Sequence, residues 1–146
     1  MMKQKMKLEI ESLPSNEAFA RVVVAAFATK LNPTMEEIAD IKTAISEAVT
    51  NAIIHGYGQQ LHKIMIEAWI EEDLFVVSVE DFGIGIEDVK KAMEPMYTTR
   101  SDLERSGMGF VFMEAFMDTV NVESQVGKGT KVTMTKRVGK RYGTDL

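Results

Sequence analysis

Hydrophobic residues recur with two different periods along the first half of the chain, and each change of period marks a new element. Over residues 6–12 apolar and polar residues alternate, which predicts a strand with one buried face. Over residues 19–27 the apolar residues recur at intervals of three and four, which predicts an amphipathic helix. A second helix begins at Thr34, where Glu37 completes a capping box, and Gly56 is its expected stop.

The second half of the chain carries strand patterns on either side of a polar, glycine-rich segment. Residues 81–106 predict mainly a loop. The remaining elements are strands at 64–70, 75–79, 120–124 and 130–136, a short helix near 88–93 and a helix near 110–117. The main order is β-α-α-β-β-α-β-β. Hairpin-linked strands require a mixed, mostly antiparallel sheet with helices on one face, so the predicted fold class is an α/β two-layer sandwich. A doubly wound parallel fold is excluded because strands and helices do not alternate strictly.

Length and composition fit a single globular domain. The chain has 146 residues, and we place the domain at residues 1–136 and a basic tail at 137–146. The net charge is −5, which argues against direct nucleic-acid binding because such proteins present a basic face. We interpret the basic cluster near the C-terminus as a solvated tail; its members are Lys136, Arg137, Lys140 and Arg141.

Two further features restrict the chemistry and the location of the protein. The chain has no cysteine and two histidines, which excludes disulfides, thiol nucleophiles and cysteine-type zinc sites. The longest apolar run covers residues 22–28 and is too short to span a bilayer. No apolar signal core follows the N-terminus. We therefore expect a cytoplasmic protein that does not bind membranes.

Glu47 and Asn51 are the first candidate functional residues. They lie four positions apart on the second predicted helix and share a face that points away from the apolar stripe. One interpretation is an exposed polar face. The alternative is a lined pocket, because the apolar Ile54 projects on the same side. A carboxylate and an amide oxygen are hard ligands suited to Mg²⁺, which commonly takes one or two protein ligands.

Three glycine-containing turns are the other candidates. Asp81 ends a predicted strand and precedes Gly83 and Gly85; the glycines allow close approach of the backbone to a ligand, and the carboxylate can accept a hydrogen bond from an amine. Residues 105–110 run from a glycine-rich turn into a helix start, where free N–H groups bind phosphate. Residues 127–130 fit a plain hairpin turn at least as well as a ligand contact.

The order of these pieces resembles the GHKL ATPase superfamily, which includes gyrase-type ATPases and histidine-kinase catalytic domains. The resemblance rests on Glu47 and Asn51 on a helix, then Asp81, Gly83 and Gly85 after a strand, then a polar loop, then Gly107 and Gly109 before a helix. Residues 15–21, 46–57 and 103–110 resemble the anti-sigma factor serine kinases more closely, and the last segment favours the sporulation branch of that family over the stress-response branch. The resemblance covers about residues 6–136.

This resemblance implies a fold of the GHKL (Bergerat) type and a set of residue roles for binding Mg-ATP. It implies that Glu47 is the general base for phosphorylation of a serine on an anti-anti-sigma protein. The implied contacts are Asn51 to Mg²⁺, Asp81 and Thr130 to adenine, Gly83 and Gly85 to the nucleotide through the backbone, and Arg105, Gly107 and Gly109 to the phosphates.

The resemblance also implies partners. The ATP-bound protein, a homodimer in this family, would hold a sporulation sigma factor of the sigma-F type away from RNA polymerase, and Arg21 matches a residue of the partner contacts. Two alternatives stay open: a catalytically silent, nucleotide-gated sigma-binding module, and a kinase acting on a stress-response sigma system. A histidine-kinase-type catalytic domain would need a phosphoacceptor histidine on a helix upstream of the Glu47 and Asn51 motif. Both histidines follow that motif, so this alternative is disfavoured.

Overall fold

The computed structural model describes residues 4–56, 60–94 and 109–139. In chain order the elements are β1 (Gln4–Glu11), α1 (Asn16–Ala28), α2 (Met35–Asn51), β2 (Lys63–Glu71), β3 (Leu74–Asp81), α3 (Val89–Ala92), α4 (Gly109–Phe116), β4 (Thr119–Gln125) and β5 (Gly129–Arg137). The predicted elements and their order are thus confirmed. Lys140 and Arg141 of the basic cluster lie outside the described residues.

The sheet has five strands in the order β1-β2-β3-β5-β4, and every neighbouring pair is antiparallel. The two-layer α/β class predicted from the sequence is therefore confirmed, with an antiparallel sheet in place of a mixed one. The crossover arises because β4 lies at the edge, outside β5, so β5 pairs with both β3 and β4. This arrangement places the end of β3 directly beside the start of β5.

One face of the sheet packs against the helices because the strands alternate as the sequence predicts. On β2 all four inward residues are buried, and so are three on β3: Ile64, Ile66, Ala68, Ile70, Phe75, Val77 and Val79. They meet the apolar stripe of α2, which consists of Ile41, Ala44, Ile45, Ala48 and Val49. No helix within the described ranges is both long and apolar enough to cross a membrane.

Helix α2 begins with the predicted capping box and ends differently from the prediction. The Thr34 hydroxyl accepts the Glu37 N–H at 3.0 Å, and the Glu37 carboxylate accepts the Thr34 N–H at 2.8 Å. The α-helical hydrogen bonding stops at Asn51, and a π-helical turn, Ala52–Gly56, follows. Such turns are rare and are often found at functional sites.

Two basic residues at the end of β5, Lys136 and Arg137, form ion pairs. Lys136 donates to the Phe116 carbonyl at 2.7 Å, and its ammonium lies 3.6 Å from the Asp40 carboxylate. Arg137 belongs to β5 and pairs with Asp73. These two members of the basic cluster are thus engaged in the fold. Lys136 lies within the strand predicted at 130–136, and Arg137 joins it because β5 continues one residue further than predicted.

Candidate active site

A cavity of about 590 Å³ lies between the sheet and helices α2 and α4, a size typical of small-molecule sites. Its walls come from α2, the π-helical turn, β3, β5, the segment after β3 and the start of α4. The apolar lining includes Ala48, Ala52, Val79, Ile84, Ile86, Val126 and Val132. The polar lining includes Asn51, His55, Asp81, Lys91 and Thr130. A flat, mainly apolar ligand group with a few polar edges matches this lining.

Asp81 occupies the most enclosed end of the cavity. Only 5% of its surface is exposed. Burial raises the pKa of Asp81 to about 6 from its ordinary value of 3.8, although hydrogen bonds from the Gly83 and Thr130 N–H groups act in the opposite direction. The Gly83 bond measures 3.0 Å. At neutral pH the group is therefore an ionised acceptor in a desolvated position.

Two glycines make room for this carboxylate. A Cβ atom on Gly56 would lie 2.6 Å from Cγ of Asp81, and one on Gly83 would lie 1.8 Å from the Gly56 carbonyl oxygen. That carbonyl also accepts the Ile84 N–H at 3.0 Å. From the sequence, Gly56 is predicted only as a helix stop. The structure gives it a second role, because the end of the π-helical turn packs directly against the segment that follows Asp81.

Gly85 packs against the β4–β5 turn. Its φ is +79°, and a Cβ atom there would lie 2.3 Å from the Gln125 carbonyl oxygen. The Ile84 carbonyl accepts the Gly127 N–H at 2.8 Å. Gly83 and Gly85 were predicted to let the backbone approach a ligand. In the structure both allow close packing of protein backbone on protein backbone, and Gly85 also lines the cavity.

Glu47 and Asn51 meet the N-terminus of α4 at the opposite end. A Cβ atom on Gly109 would lie 3.0 Å from Nδ2 of Asn51 and 3.4 Å from Oε2 of Glu47. Both side chains are half-buried, so the two residues do not form a fully exposed polar face. Asn51 lines the cavity, whereas Glu47 lies beside it, and a functional role for the pair stays a prediction. Their oxygens fit Mg²⁺ chemically, and the positive end of α4 favours a nearby anion.

Ile54 does not contribute to this pocket in the way the helical spacing indicated. It packs partly buried against the hydrophobic core. The prediction assumed continuous α-helical rotation, whereas i→i+5 hydrogen bonding in the π-helical turn changes the direction of each side chain after Asn51. The pocket is lined from this side by Ala52 and His55.

Glu47 borders a separate depression, of about 440 Å³, on the outer surface between α1 and α2. Arg21 lies on its far side, with Lys42, Thr43 and Ser46 between them. The Arg21 guanidinium lies 3.6 Å from the Glu17 carboxylate one turn earlier. The structure thus brings Arg21 and Glu47 to the two sides of one surface depression, although they are far apart in the sequence.

The remaining predicted site residues divide into two groups. Thr130 lines the cavity beside Asp81, as their pairing between β5 and β3 requires. Arg105 and Gly107 lie outside the described residues. Sequence reasoning missed the apolar lining, because Ala48, Val79 and Val132 look like ordinary core positions, and it missed Ser124, which hydrogen bonds to Thr130.

The sequence matches one protein family over most of its length. The histidine kinase-like ATPase domain matches residues 10–136. The chain is 57% identical over 137 residues to the anti-sigma F factor of Clostridium acetobutylicum, covering 94% of this chain and 96% of that protein. It is 59% identical over 137 residues to the anti-sigma F factor of Clostridium novyi, covering 92% and 94%. Identity to that of Oceanobacillus iheyensis is 52% over 140 residues, covering 95% and 96%.

Proposed function

The chain belongs to the family of histidine kinase-like ATPase domains and lies among the anti-sigma F factors, and from this membership we propose that it is an ATP-dependent anti-sigma factor and protein serine kinase. In the ATP-bound state it sequesters a sporulation sigma factor of the sigma-F type. It phosphorylates a serine of the anti-anti-sigma protein that antagonises this sequestration. The observation that carries the proposal is the meeting of Glu47, Asn51 and the N-terminus of α4, where Asn51 and Gly109 line one end of the cavity.

The cavity suits an adenine nucleotide in one orientation. The apolar lining accepts the flat purine, and the buried Asp81 carboxylate accepts a hydrogen bond from its amino group. The phosphates then extend toward Asn51 and Gly109. Asn51 would hold Mg²⁺, which supplies charge neutralisation on the phosphate oxygens. From the family resemblance, Arg105 and Gly107 complete the phosphate contacts.

We assign to Glu47 the role of general base, a role supported by its position beside Asn51 and the start of α4. In the transfer step the acceptor serine oxygen forms a bond to the γ-phosphorus, the bond from that phosphorus to the β,γ-bridging oxygen breaks, and ADP leaves. The serine proton passes to the Glu47 carboxylate. Phosphoryl transfer depends mainly on positioning and charge stabilisation, so one carboxylate, one metal ligand and a helix N-terminus supply the required groups.

The depression between Arg21 and Glu47 supports a docking surface for the acceptor protein. A serine carried into this depression would approach Glu47 from outside, while the nucleotide lies on the other side in the cavity. Arg21 supplies a charged contact for the partner proteins. The proposal places the protein in the cytoplasm, with its sigma factor, as a homodimer that binds no nucleic acid directly.

Transfer of phosphate from γ-labelled Mg-ATP to the purified anti-anti-sigma protein tests the kinase. Label on the acceptor serine is expected, with loss when that serine is replaced by alanine. Glu47→Gln should slow transfer by about 10²–10⁴ with ATP affinity unchanged, since general-base catalysis contributes on that scale. Glu36→Gln, an exposed substitution on the same helix, is the matched control and should transfer at the wild-type rate.

The same materials separate the alternatives. ATP binding without label would contradict the kinase and support a silent, nucleotide-gated sigma-binding module. Binding of the ATP-loaded protein to sporulation and stress-response sigma factors, compared side by side, distinguishes the two regulatory systems. Arg21→Ala should weaken sigma binding and leave ATP affinity intact; equal binding by variant and wild type would remove Arg21 from the partner contacts.

A further inference from the structure

Ser124 connects three parts of the cavity wall through a single hydroxyl group. It lies half-buried on β4, directly opposite Thr130 on β5. Its Oγ accepts the Ile86 N–H at 2.7 Å and donates to the Gly129 carbonyl oxygen at 3.0 Å. The Oγ1 atom of Thr130 lies 2.8 Å away. One side chain thus joins the segment after Asp81, the β4–β5 hairpin and a residue that lines the cavity.

The chemistry of a hydroxyl group determines the direction of these bonds. A serine hydroxyl has one proton and two acceptor positions. The Gly129 carbonyl can only accept, so it takes the Ser124 proton, and the Ile86 N–H can only donate. When all three contacts are satisfied, the remaining contact must run from the Thr130 hydroxyl to Ser124. The proton of Thr130 is then engaged away from the cavity.

From this arrangement we infer that Ser124 is a positioning residue for nucleobase selection, acting through Thr130. With its proton held by Ser124, Thr130 presents only acceptor lone pairs to the cavity that it lines. Asp81 beside it is also an acceptor when ionised. The inference rests on the proposed function, because it concerns how the same cavity chooses among nucleotides.

Two acceptors that face position 6 of the base, the Asp81 carboxylate and the Thr130 hydroxyl oxygen, discriminate between purines at that position. Adenine carries an amino donor at position 6, whereas guanine carries an oxo acceptor there. The amino group can be bonded by these acceptors, and the oxo group faces lone pairs with no proton to share. A site that leaves a buried polar group unpaired rejects the wrong ligand strongly. Ser124 therefore keeps the wall selective by preventing Thr130 from rotating its proton into the cavity.

The test measures ATP and GTP affinities of the full chain by calorimetry. Ser124→Ala frees the Thr130 proton, and we expect the preference for ATP over GTP to fall by about tenfold, equivalent to one hydrogen bond of discrimination. Ser124→Thr keeps the hydroxyl and should restore the wild-type ratio. Thr119→Ala removes another hydroxyl pair between the same two strands, to Thr135 at the other end, and should leave the ratio unchanged.

A second variant, Thr130→Val, distinguishes an effect of the Thr130 proton from a general loss of structure in the cavity wall. In Thr130→Val no hydroxyl proton remains, so adding Ser124→Ala should not change the ATP-to-GTP ratio further, even if both affinities fall through loss of the Ile86 contact. An equal change in both backgrounds, or an unchanged ratio in the single variant with ATP still bound, overturns the inference. Absence of ATP binding by the wild-type chain would instead overturn the proposed function.

Discussion

Asp81 lies at one end of the cavity with 5% of its surface exposed, whereas Asn51 lies half-buried at the other end, where Glu47 is its neighbour beside the start of α4. The first end is enclosed by backbone, with Gly56 and Gly83 in contact. The second is built from two side chains on one helix and the N-terminus of another. Under the proposed function the two ends would have different roles. The enclosed end would select the base through fixed acceptors, and the open end would neutralise phosphate charge and carry the transfer step.

The enclosed end should be the more sensitive to added volume. Gly83→Ala would place a methyl group 1.8 Å from the Gly56 carbonyl oxygen. Because both partners are backbone, neither can move alone, and we expect a loss of about 3 kcal/mol or more in the free energy of unfolding together with loss of ATP binding. Chemical denaturation and calorimetry measure the two effects.

Gly127→Asn provides the matched control. Gly127 also has a positive φ, of 83°, but a Cβ atom there meets nothing within 4 Å, and asparagine tolerates this backbone region better than most residues. We expect a small loss of stability and normal ATP binding. Equal destabilisation by the two substitutions would mean that contact between Gly83 and Gly56 does not enclose the carboxylate.

Asp81 should make the enclosed end dependent on pH. Its pKa is raised to about 6 in the folded protein from 3.8, so protonation stabilises the fold, and this stability is lost as pH rises from about 4 through 6. Over that range the difference in free energy of unfolding between Asp81→Asn and wild type should change by about 3 kcal/mol in favour of the variant. Urea unfolding at a series of pH values measures this difference.

Asp81→Asn should also reduce the preference for ATP over GTP. Asparagine replaces one acceptor by a donor, so the preference for ATP over GTP should fall. Glu123→Gln, on the exposed side of β4, is the control and should show neither effect. A stability difference that stays constant between pH 4 and 7 would show that the Asp81 carboxylate is not held in a desolvated position.

At the open end, ATP affinity should depend on Mg²⁺ and not on pH. In Asn51→Ala we expect ATP affinity to match that of wild type in the presence of EDTA and to fall about tenfold below it in Mg²⁺, because one hard oxygen ligand is removed. Calorimetric titrations with and without Mg²⁺ measure this. Thr43→Ala, on the same helix outside the cavity, is the control. A deficit of equal size in EDTA would assign Asn51 to the nucleotide and not to the metal.

The smallest effect is expected from the remote end of α2, which touches neither part of the site. Thr34→Ala removes one half of the capping box, and we expect a loss of about 1 kcal/mol in the free energy of unfolding. ATP affinity and its Mg²⁺ dependence should not change. If Thr34→Ala did weaken ATP binding, the two ends of the cavity would depend on the stability of the whole helix and not on their own local contacts.

Much of the fold could be predicted from the sequence because the signals for its elements are local. Alternation over β2 and β3, the spacing of three and four on α1 and α2, and the capping box at Thr34 all depend on neighbours within a few positions. The end of α2 was harder to predict. The π-helical turn from Ala52 to Gly56 breaks the assumed rotation, so Ile54 was assigned to the pocket and packs in the core instead.

By itself the sequence determined the order of the elements, the shared face of Glu47 and Asn51 and the position of Asp81 at the end of a strand, since each follows from periodicity or from a motif only a few residues long. The tertiary structure alone decided which distant groups meet. Gly83 packs against Gly56, and the Ile86 N–H donates a hydrogen bond to the hydroxyl of Ser124, 38 positions away. Such contacts depend on strand register and on the geometry of the π-helical turn, and neither is encoded by the spacing of residues along any single element.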